Sequence, residues 1–166
     1  MHFNPYGGAA AELAARLVNA GRGQDLRELL AAADYKPIGS LNTAQAAELR
    51  RWIDELGAVF DHPTVDRLNA LLAKTTSQPY ISTHDDRMPH MHFARETAPV
   101  DERVKAYTAV GLATLFCDDP ERIGRCARAG CDTVFIDTSR NGRRRFCSSQ
   151  CSNRVHVAEH RSRRAS

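Results

Sequence analysis

From Ala9 to Asn19, alanines and leucines recur at helical spacing: Leu13, Leu17 and Ala20 fall on one side, and Gly21 ends the element. Gln24 to Ala33 predicts a second helix with Leu26, Leu29 and Leu30 inside, and Tyr35 to Ser40 reads as a loop. The clearest periodicity follows. Thr43 is the expected cap of a helix with Ala46, Leu49, Ile53, Leu56 and Phe60 on its apolar face. Arg50, Arg51, Asp54 and Glu55 fall opposite, with Trp52 at the edge of the apolar stripe. Asp61-His62-Pro63 breaks this helix, and Pro63 suits the first turn of the next, whose stripe is Val65, Leu68, Leu71 and Leu72. Gln78–His84 and His90–Arg95 are extended in character around a turn at Asp85-Asp86-Arg87. They predict a β-hairpin able to pair with, or pack on, a second hairpin nearer the C-terminus. Pro99 opens a fifth helix with Val104, Tyr107, Val110 or Gly111, and Leu115 on its core side, ending near Cys117; Asp118-Asp119-Pro120 forms a short linker.

Beyond the linker the pattern changes, and cysteine spacing takes over. Cys126 and Cys131 form a C-x4-C pair, Cys147 and Cys151 a C-x3-C pair, with fifteen residues between the pairs. Two close pairs across such a spacer suit one structural Zn²⁺, which takes four soft ligands in a closed tetrahedron. Ala129-Gly130 supplies a turn within the first pair. Thr133 to Ile136 reads as a strand, Ser139-Arg140-Asn141-Gly142 as a turn, and Arg145-Phe146 as the returning strand of a hairpin. Ser148 or Ser149 caps a helix running to about Arg161, on which Cys147 and Cys151 stand one turn apart. Disulfides fit poorly, because Cys117 is left over and the N-terminus lacks the basic and apolar stretches of a secretory signal. A redox dithiol normally uses C-x-x-C in a βαβ setting, which this sequence lacks.

The predicted class is α+β: a mainly helical N-terminal domain with one β-hairpin, residues 1–119, then a small treble-clef-like four-cysteine zinc module, residues 120–166. The composition, 42% hydrophobic and 26% charged, is that of an ordinary soluble domain, with the cytoplasm as the expected compartment and no apolar run of membrane-spanning length. Charge is uneven. From Glu121 onward 11 arginines face 4 acids, giving +7, whereas the remaining residues carry 12 bases and 16 acids, giving −4. Such asymmetry points to a polyanion as partner for the C-terminal part.

The stretch S-R-N-G-R-R-R-F-C, followed by Cys151-Ser152-Asn153-Arg154 and V-H-V-A-E-H-R, resembles the CGNR zinc finger, with Ser152 where that family has glycine. The resemblance, together with Leu17-Val18-Asn19-Ala20-Gly21, implies an ABATE-like domain over residues 1–119 and a CGNR-type finger over 120–166. It further implies a bacterial transcription regulator. The expectation is one structural zinc held by Cys126, Cys131, Cys147 and Cys151. DNA contacts are expected from Arg140, Arg143, Arg144, Arg145, Asn153, Arg154 and Arg161. The N-terminal domain would sense a ligand or drive assembly. Two other readings remain open: an adaptor that uses the finger as a docking module, and an RNA-binding protein. Only Phe135 and Phe146 offer rings in the finger, which disfavours stacking on single strands.

Other reactive side chains carry weaker signals. His84, His90 and His92 lie close together but lack a carboxylate or thiol partner at ligand spacing, so they read as surface histidines of a hairpin. His156 and His160 are expected to face solvent or phosphate. Cys117, in Thr114-Leu115-Phe116-Cys117, is expected to be a buried structural cysteine. No phosphate loop, nucleophile elbow or zincin helix occurs, and a closed four-thiolate site leaves no position for substrate, so an enzyme is not expected.

Overall fold

In the computed structural model the described residues are 5–21, 23–33, 41–75, 79–83 and 88–165, with side chains described from residue 8 to residue 164. The expected loop at 35–40, the turn at 85–87 and His84 lie outside them. The helices are α1 (Pro5–Asn19), α2 (Leu26–Ala32), α3 (Thr43–Asp61), α4 (Val65–Ala73), α5 (Val100–Asp118) and α6 (Ser149–Ala165). Two short antiparallel pairs accompany them: β1 (Tyr80–Ser82) with β2 (His90–His92), and β3 (Ile123–Arg125) with β4 (Val134–Ile136).

α5 is the centre of the helical part. Val104, Ala109, Leu112 and Leu115 are buried on it, and Thr108 is also fully enclosed. A helix buried on several sides needs small residues where a neighbour comes close. Gly111 meets this need: a Cβ there would stand 2.4 Å from the Cβ of Ala10 and 2.8 Å from its backbone. Thus α1 lies directly on α5. α3 packs on the same helix, and Trp52 reaches across to donate from Nε1 to Thr108 Oγ1 at 3.0 Å. The hydroxyl of Thr108 donates in turn to the Val104 carbonyl at 2.8 Å. Trp52 is therefore a buried core residue, not an edge one, because the indole N–H finds its partner inside.

Several boundaries differ from the sequence expectation for local reasons. Asn42, one residue before Thr43, caps α3 through a reciprocal box with Gln45. Thr64 caps α4, which puts Pro63 outside that helix and leaves Val65, in its first turn, 59% exposed. Cys117 is exposed rather than buried: it follows Leu115 by two positions, on the outward side of the last turn of α5. The two strand pairs form separate sheets, so the N-terminal hairpin does not pair with the C-terminal one. Among the described residues no helix is long and apolar enough to cross a membrane.

The C-terminal strands are built into the helical core. Ile123, Val134 and Ile136 are buried in the same apolar cluster as Leu13, Leu17, Leu56 and Leu115. Asn19, at the end of α1, donates from Nδ2 to the Val134 carbonyl and accepts from the Val134 amide, both at 2.9 Å. Arg125 reaches Asp61 at the end of α3, with its Nε 2.7 Å from the carboxylate. The expected division at residue 119 falls between elements that share this core.

Candidate metal centre

The strands that flank the first cysteine pair are β3 and β4, with Ile123 opposite Ile136 and Arg125 opposite Val134. This corrects the expected partner of β4. Arg145-Phe146 does not form a strand, and residues 142–145 are irregular. The reason is visible in the hydrogen bonds. The amide of Cys126 donates to Thr133 at 2.9 Å, extending the β3–β4 ladder up to the first ligand. The amide of Ala127 then donates to the Arg145 carbonyl at 2.9 Å, which ties the returning chain to the turn rather than to β4. Between the cysteines the chain reverses sharply, with Gly130 at φ +74°, a conformation that favours glycine.

Of the second pair only Cys151 stands on α6, in its first turn; Cys147 precedes the helix by two residues, which corrects the expectation that both lie on it. Ser148 Oγ accepts from the Cys151 amide at 3.3 Å, so this serine caps the helix as expected. Ser152 donates its amide to the Ser148 carbonyl as an ordinary helical residue, a conformation that does not require glycine.

The four Sγ atoms lie within 4.8 Å of one another. Cys131 to Cys147 is 3.8 Å, Cys147 to Cys151 3.5 Å, and Cys151 to Cys131 3.9 Å. A tetrahedral Zn²⁺ with bonds of about 2.3 Å sets its sulfurs about 3.8 Å apart, whereas a disulfide brings them to about 2.05 Å. All four thiols are free. The donor set and spacing fit one structural zinc.

The surroundings favour the thiolate at Cys151 and Cys131 and disfavour it at Cys147. Arg128 Nε points at Cys151 Sγ from 3.2 Å. That hydrogen bond is the largest cause lowering the Cys151 pKa, and the two sulfurs Cys151 and Cys131 raise that of Arg128. Thr133, through its hydroxyl and its backbone, draws the Cys131 thiol down to about 6. Burial, aided by the neighbouring thiols, pushes Cys147 up to about 11. Four crowded thiols cannot all ionise without a cation between them, which is the coupling of metal binding to proton release.

Residues 122–164 match the family model of the CGNR zinc finger. The C-terminal module is a CGNR zinc finger. The match covers about a quarter of the 166 residues and does not extend to the part expected to be ABATE-like. No curated protein matches the chain.

The spacer of the CGNR finger is held by an aspartate that the sequence reading did not single out. Asp137 is fully buried. Its carboxylate accepts from the amides of Ser139 (2.8 Å) and Arg144 (2.7 Å). Arg122 closes the arrangement by donating Nη1 to the carbonyls of Asp137 and Ser139, both at 2.8 Å, and Nε to Asp119 at 3.1 Å. Burial pushes the Asp137 pKa up, but hydrogen bonds from Ser139 and Arg144 and the charge of Arg122 outweigh it, so the carboxyl sits below its ordinary value. Arg128, beside the Cys151 sulfur, is a second functional residue outside the sequence expectation. The signal available was its place inside the C-x4-C turn.

The candidate nucleic-acid residues separate into groups. Arg144 is engaged within the finger. Its Nε donates to the Phe146 carbonyl at 2.9 Å, its Nη2 contacts the Cys147 carbonyl, and its guanidinium lies 4.7 Å over the Phe135 ring. Arg140, Arg143 and Arg145 are exposed on the loop, with Arg145 5.7 Å over the Phe146 ring. A groove of about 530 Å³ runs between this loop and α6, lined among others by Arg143, Arg145, Phe146, Ser149, Ser152 and His156. His156 meets Phe146 edge-on at 6.2 Å.

On α6, successive residues turn by about 100°. Cys151 and half-buried Val155 form the side turned to the module. Ser152, His156 and, by the same spacing, Arg163 form the flank beside the groove. Arg154 and Arg161, seven residues apart, share the opposite flank. Asn153, Val157, His160 and Arg164 lie between the flanks on the outward face, all exposed. Three of the four arginines of α6 thus stand beside the outward face, Arg163 on one flank and Arg154 and Arg161 on the other, while Arg164 lies on that face near the C-terminal end.

Proposed function

We propose that the protein is a zinc-dependent regulator that binds duplex DNA, with α6 lying in the major groove. The observation that carries this reading is the distribution of charge about α6. A helix with side chains is about 10–12 Å across and the major groove is about 12 Å wide, so a seated helix has a phosphate backbone on each side. Arg143, Arg145 and Arg163 stand on one flank and Arg154 and Arg161 on the other, which suits that arrangement. Asn153 then faces the base edges, where an asparagine can pair with adenine, and Val157 is placed for apolar contact with a thymine methyl. Arg140 at the loop tip adds a further phosphate contact. Arg144 is assigned to bracing the loop.

The closed donor set supports a structural rather than a catalytic zinc, and a regulator rather than an enzyme. The sensing or assembly role falls to the helical part. A recess of about 260 Å³ between α2 and the start of α3, lined by Asp25, Arg27 and Arg50 among others, supports it.

Fluorescence anisotropy with labelled duplexes over a range of salt tests the reading. Alanine at Arg143, Arg145, Arg154 or Arg161 should weaken binding to all sequences, each lowering the salt slope by about 0.9. Asn153→Ala should leave the slope alone and relax sequence preference. If variants on one flank act and those on the other do not, α6 is not the inserted element. If none alters affinity at low salt, the docking-module reading takes its place.

A further inference from the structure

The β1–β2 hairpin carries a second cluster of ligand-type side chains, remote in sequence from the four cysteines. The register sets Tyr80 opposite His92 and Ser82 opposite His90, so these four residues share one half-buried face of the hairpin. Ile81 and Met91 occupy the other face and are 69% and 48% exposed. Alternation along the strand brings the two imidazoles side by side. Their ring centroids are 4.8 Å apart, and Nε2 of His92 lies 3.0 Å from Nε2 of His90.

Two further contacts fix how these rings present their nitrogens. His90 Nδ1 lies 2.9 Å from the Met88 carbonyl. A carbonyl only accepts, so Nδ1 carries the proton, and in the neutral ring the lone pair is on Nε2, the atom aimed at His92. An imidazole that donates one N–H to a carbonyl while the other nitrogen points into a site is the arrangement found in metal-ligating histidines. His92 is oriented by stacking on Tyr80, with centroids 5.1 Å apart and planes 22° from parallel. Both rings are thus held in place by groups outside the pair.

The distance between the nitrogens tests the fit. Two metal–nitrogen bonds of about 2.05 Å that span 3.0 Å subtend an angle of about 94° at the metal. That is the angle between neighbouring ligands in square-planar or octahedral coordination. A tetrahedral ion would need the nitrogens about 3.3 Å apart, a change of a few tenths of an ångström. Imidazole suits Cu²⁺, Ni²⁺ and Zn²⁺, and the angle favours the first two. The geometry points to a second metal site on the hairpin, formed by Nε2 of His90 and Nε2 of His92, that takes a divalent late transition metal. It is distinct from the zinc centre in its ligands: the four clustered cysteines form one group, and the hairpin belongs to a sheet separate from β3–β4. The alternative is a simple hydrogen bond from a protonated His92 Nε2 to His90 Nε2, which occupies the same space without a metal.

The full-length, zinc-saturated protein decides between them. Titrated with Ni²⁺ alone by calorimetry, with released zinc monitored in parallel, it should bind one further equivalent. His90→Ala and His92→Ala should each weaken that binding by at least the 10–100-fold that loss of an outer-shell partner costs. The double variant His156→Ala, His160→Ala removes the i, i+4 pair on α6 and should leave binding unchanged. Absence of a further equivalent, or one that survives in both hairpin variants, overturns the site. Should the hairpin variants fail to fold, the unmutated protein still answers. In imidazole ¹⁵N spectra, Zn²⁺ beyond the first equivalent should shift the Nε2 signals of His90 and His92 together. Signals that stay in place, with the N–H of His92 Nε2 retained, would refute the proposal.

Discussion

Replacing Asn19 by alanine tests how firmly the finger is built into the helical part. The side chain makes two hydrogen bonds with one residue of β4, donating to the Val134 carbonyl and accepting from its amide. Val134 is 1% exposed. Removing the asparagine leaves a backbone donor and acceptor with no side-chain partner at the rim of the core. A net hydrogen bond is worth about 1 kcal/mol, rising to about 1–3 kcal/mol when the orphaned group stays out of water. Asn19 itself is exposed, so water can reach part of the gap, and the combined loss should be about 2 kcal/mol. For a chain of this size that corresponds to a fall of about 4–8 °C in Tm. Asn19→Asp keeps the acceptor but sets a second oxygen against the Val134 carbonyl, so it should destabilise no less than alanine. The assay is urea unfolding followed by far-ultraviolet circular dichroism, paired with the rate at which a chromophoric chelator removes zinc. Both readouts should move together, because β4 leads from the cysteine turn into the shared core. If both variants unfold within about 0.5 kcal/mol of the parent and release zinc at the same rate, α1 does not hold the finger and the two parts are energetically separate.

Metal analysis should find one zinc per chain; Cys147→Ser should lose it and unfold α6, whereas Cys117→Ser, on the exposed end of α5, should retain it. Arg128→Ala removes the guanidinium from beside the Cys151 sulfur and should weaken zinc affinity about 10–100-fold, measured by chelator competition, with Arg128→Lys intermediate. Asp137→Asn should cost about 2 kcal/mol at neutral pH, since charge-assisted hydrogen bonds from two amides are lost. The Asp137 pKa is lower in the folded than in the unfolded state, so its stabilisation is present above the unfolded value and disappears as pH falls through the folded one. With zinc held saturating, the stability gap between the parent protein and the Asp137→Asn variant, read from urea unfolding, should therefore stay open down to about pH 5, below which protons displace the zinc from its thiolates.

The legible features were those with strong local causes. The apolar faces of α1 and α3 follow from spacing, and the cysteine pairs from the donor set that a closed zinc site requires. What escaped was long-range. Arg145-Phe146 looks like a returning strand after an Asn-Gly turn, yet the partner of β4 lies upstream at Ile123–Arg125. Only there does a three-residue strand bury Ile123 beside Val134 and Ile136 against α1. Hydrophobic pattern alone gives no hint of this, because Ile123-Gly124-Arg125 is too short to show alternation. Trp52 is buried where the pattern predicts an edge position for a related reason: a lone indole has a polar edge, and only the position of Thr108 on another helix makes full burial favourable.

The arginines show the same limit most sharply. In sequence, Arg143, Arg144 and Arg145 are equivalent members of one basic run. In the fold, Asp137 captures the Arg144 amide, and the Arg144 guanidinium is turned back onto the Phe146 and Cys147 carbonyls, leaving its two neighbours outward. A charge that braces the loop is not available to neutralise phosphate. The alanine series should therefore separate the three: Arg143→Ala and Arg145→Ala should lower the salt slope of DNA binding and leave Tm nearly unchanged. Arg144→Ala should lower Tm, and weaken binding only in proportion to the loosened loop. A full slope change of about 0.9 at Arg144 with unaltered stability would mean that this contact network opens when DNA binds, and that the basic run acts as the undivided unit its sequence suggests.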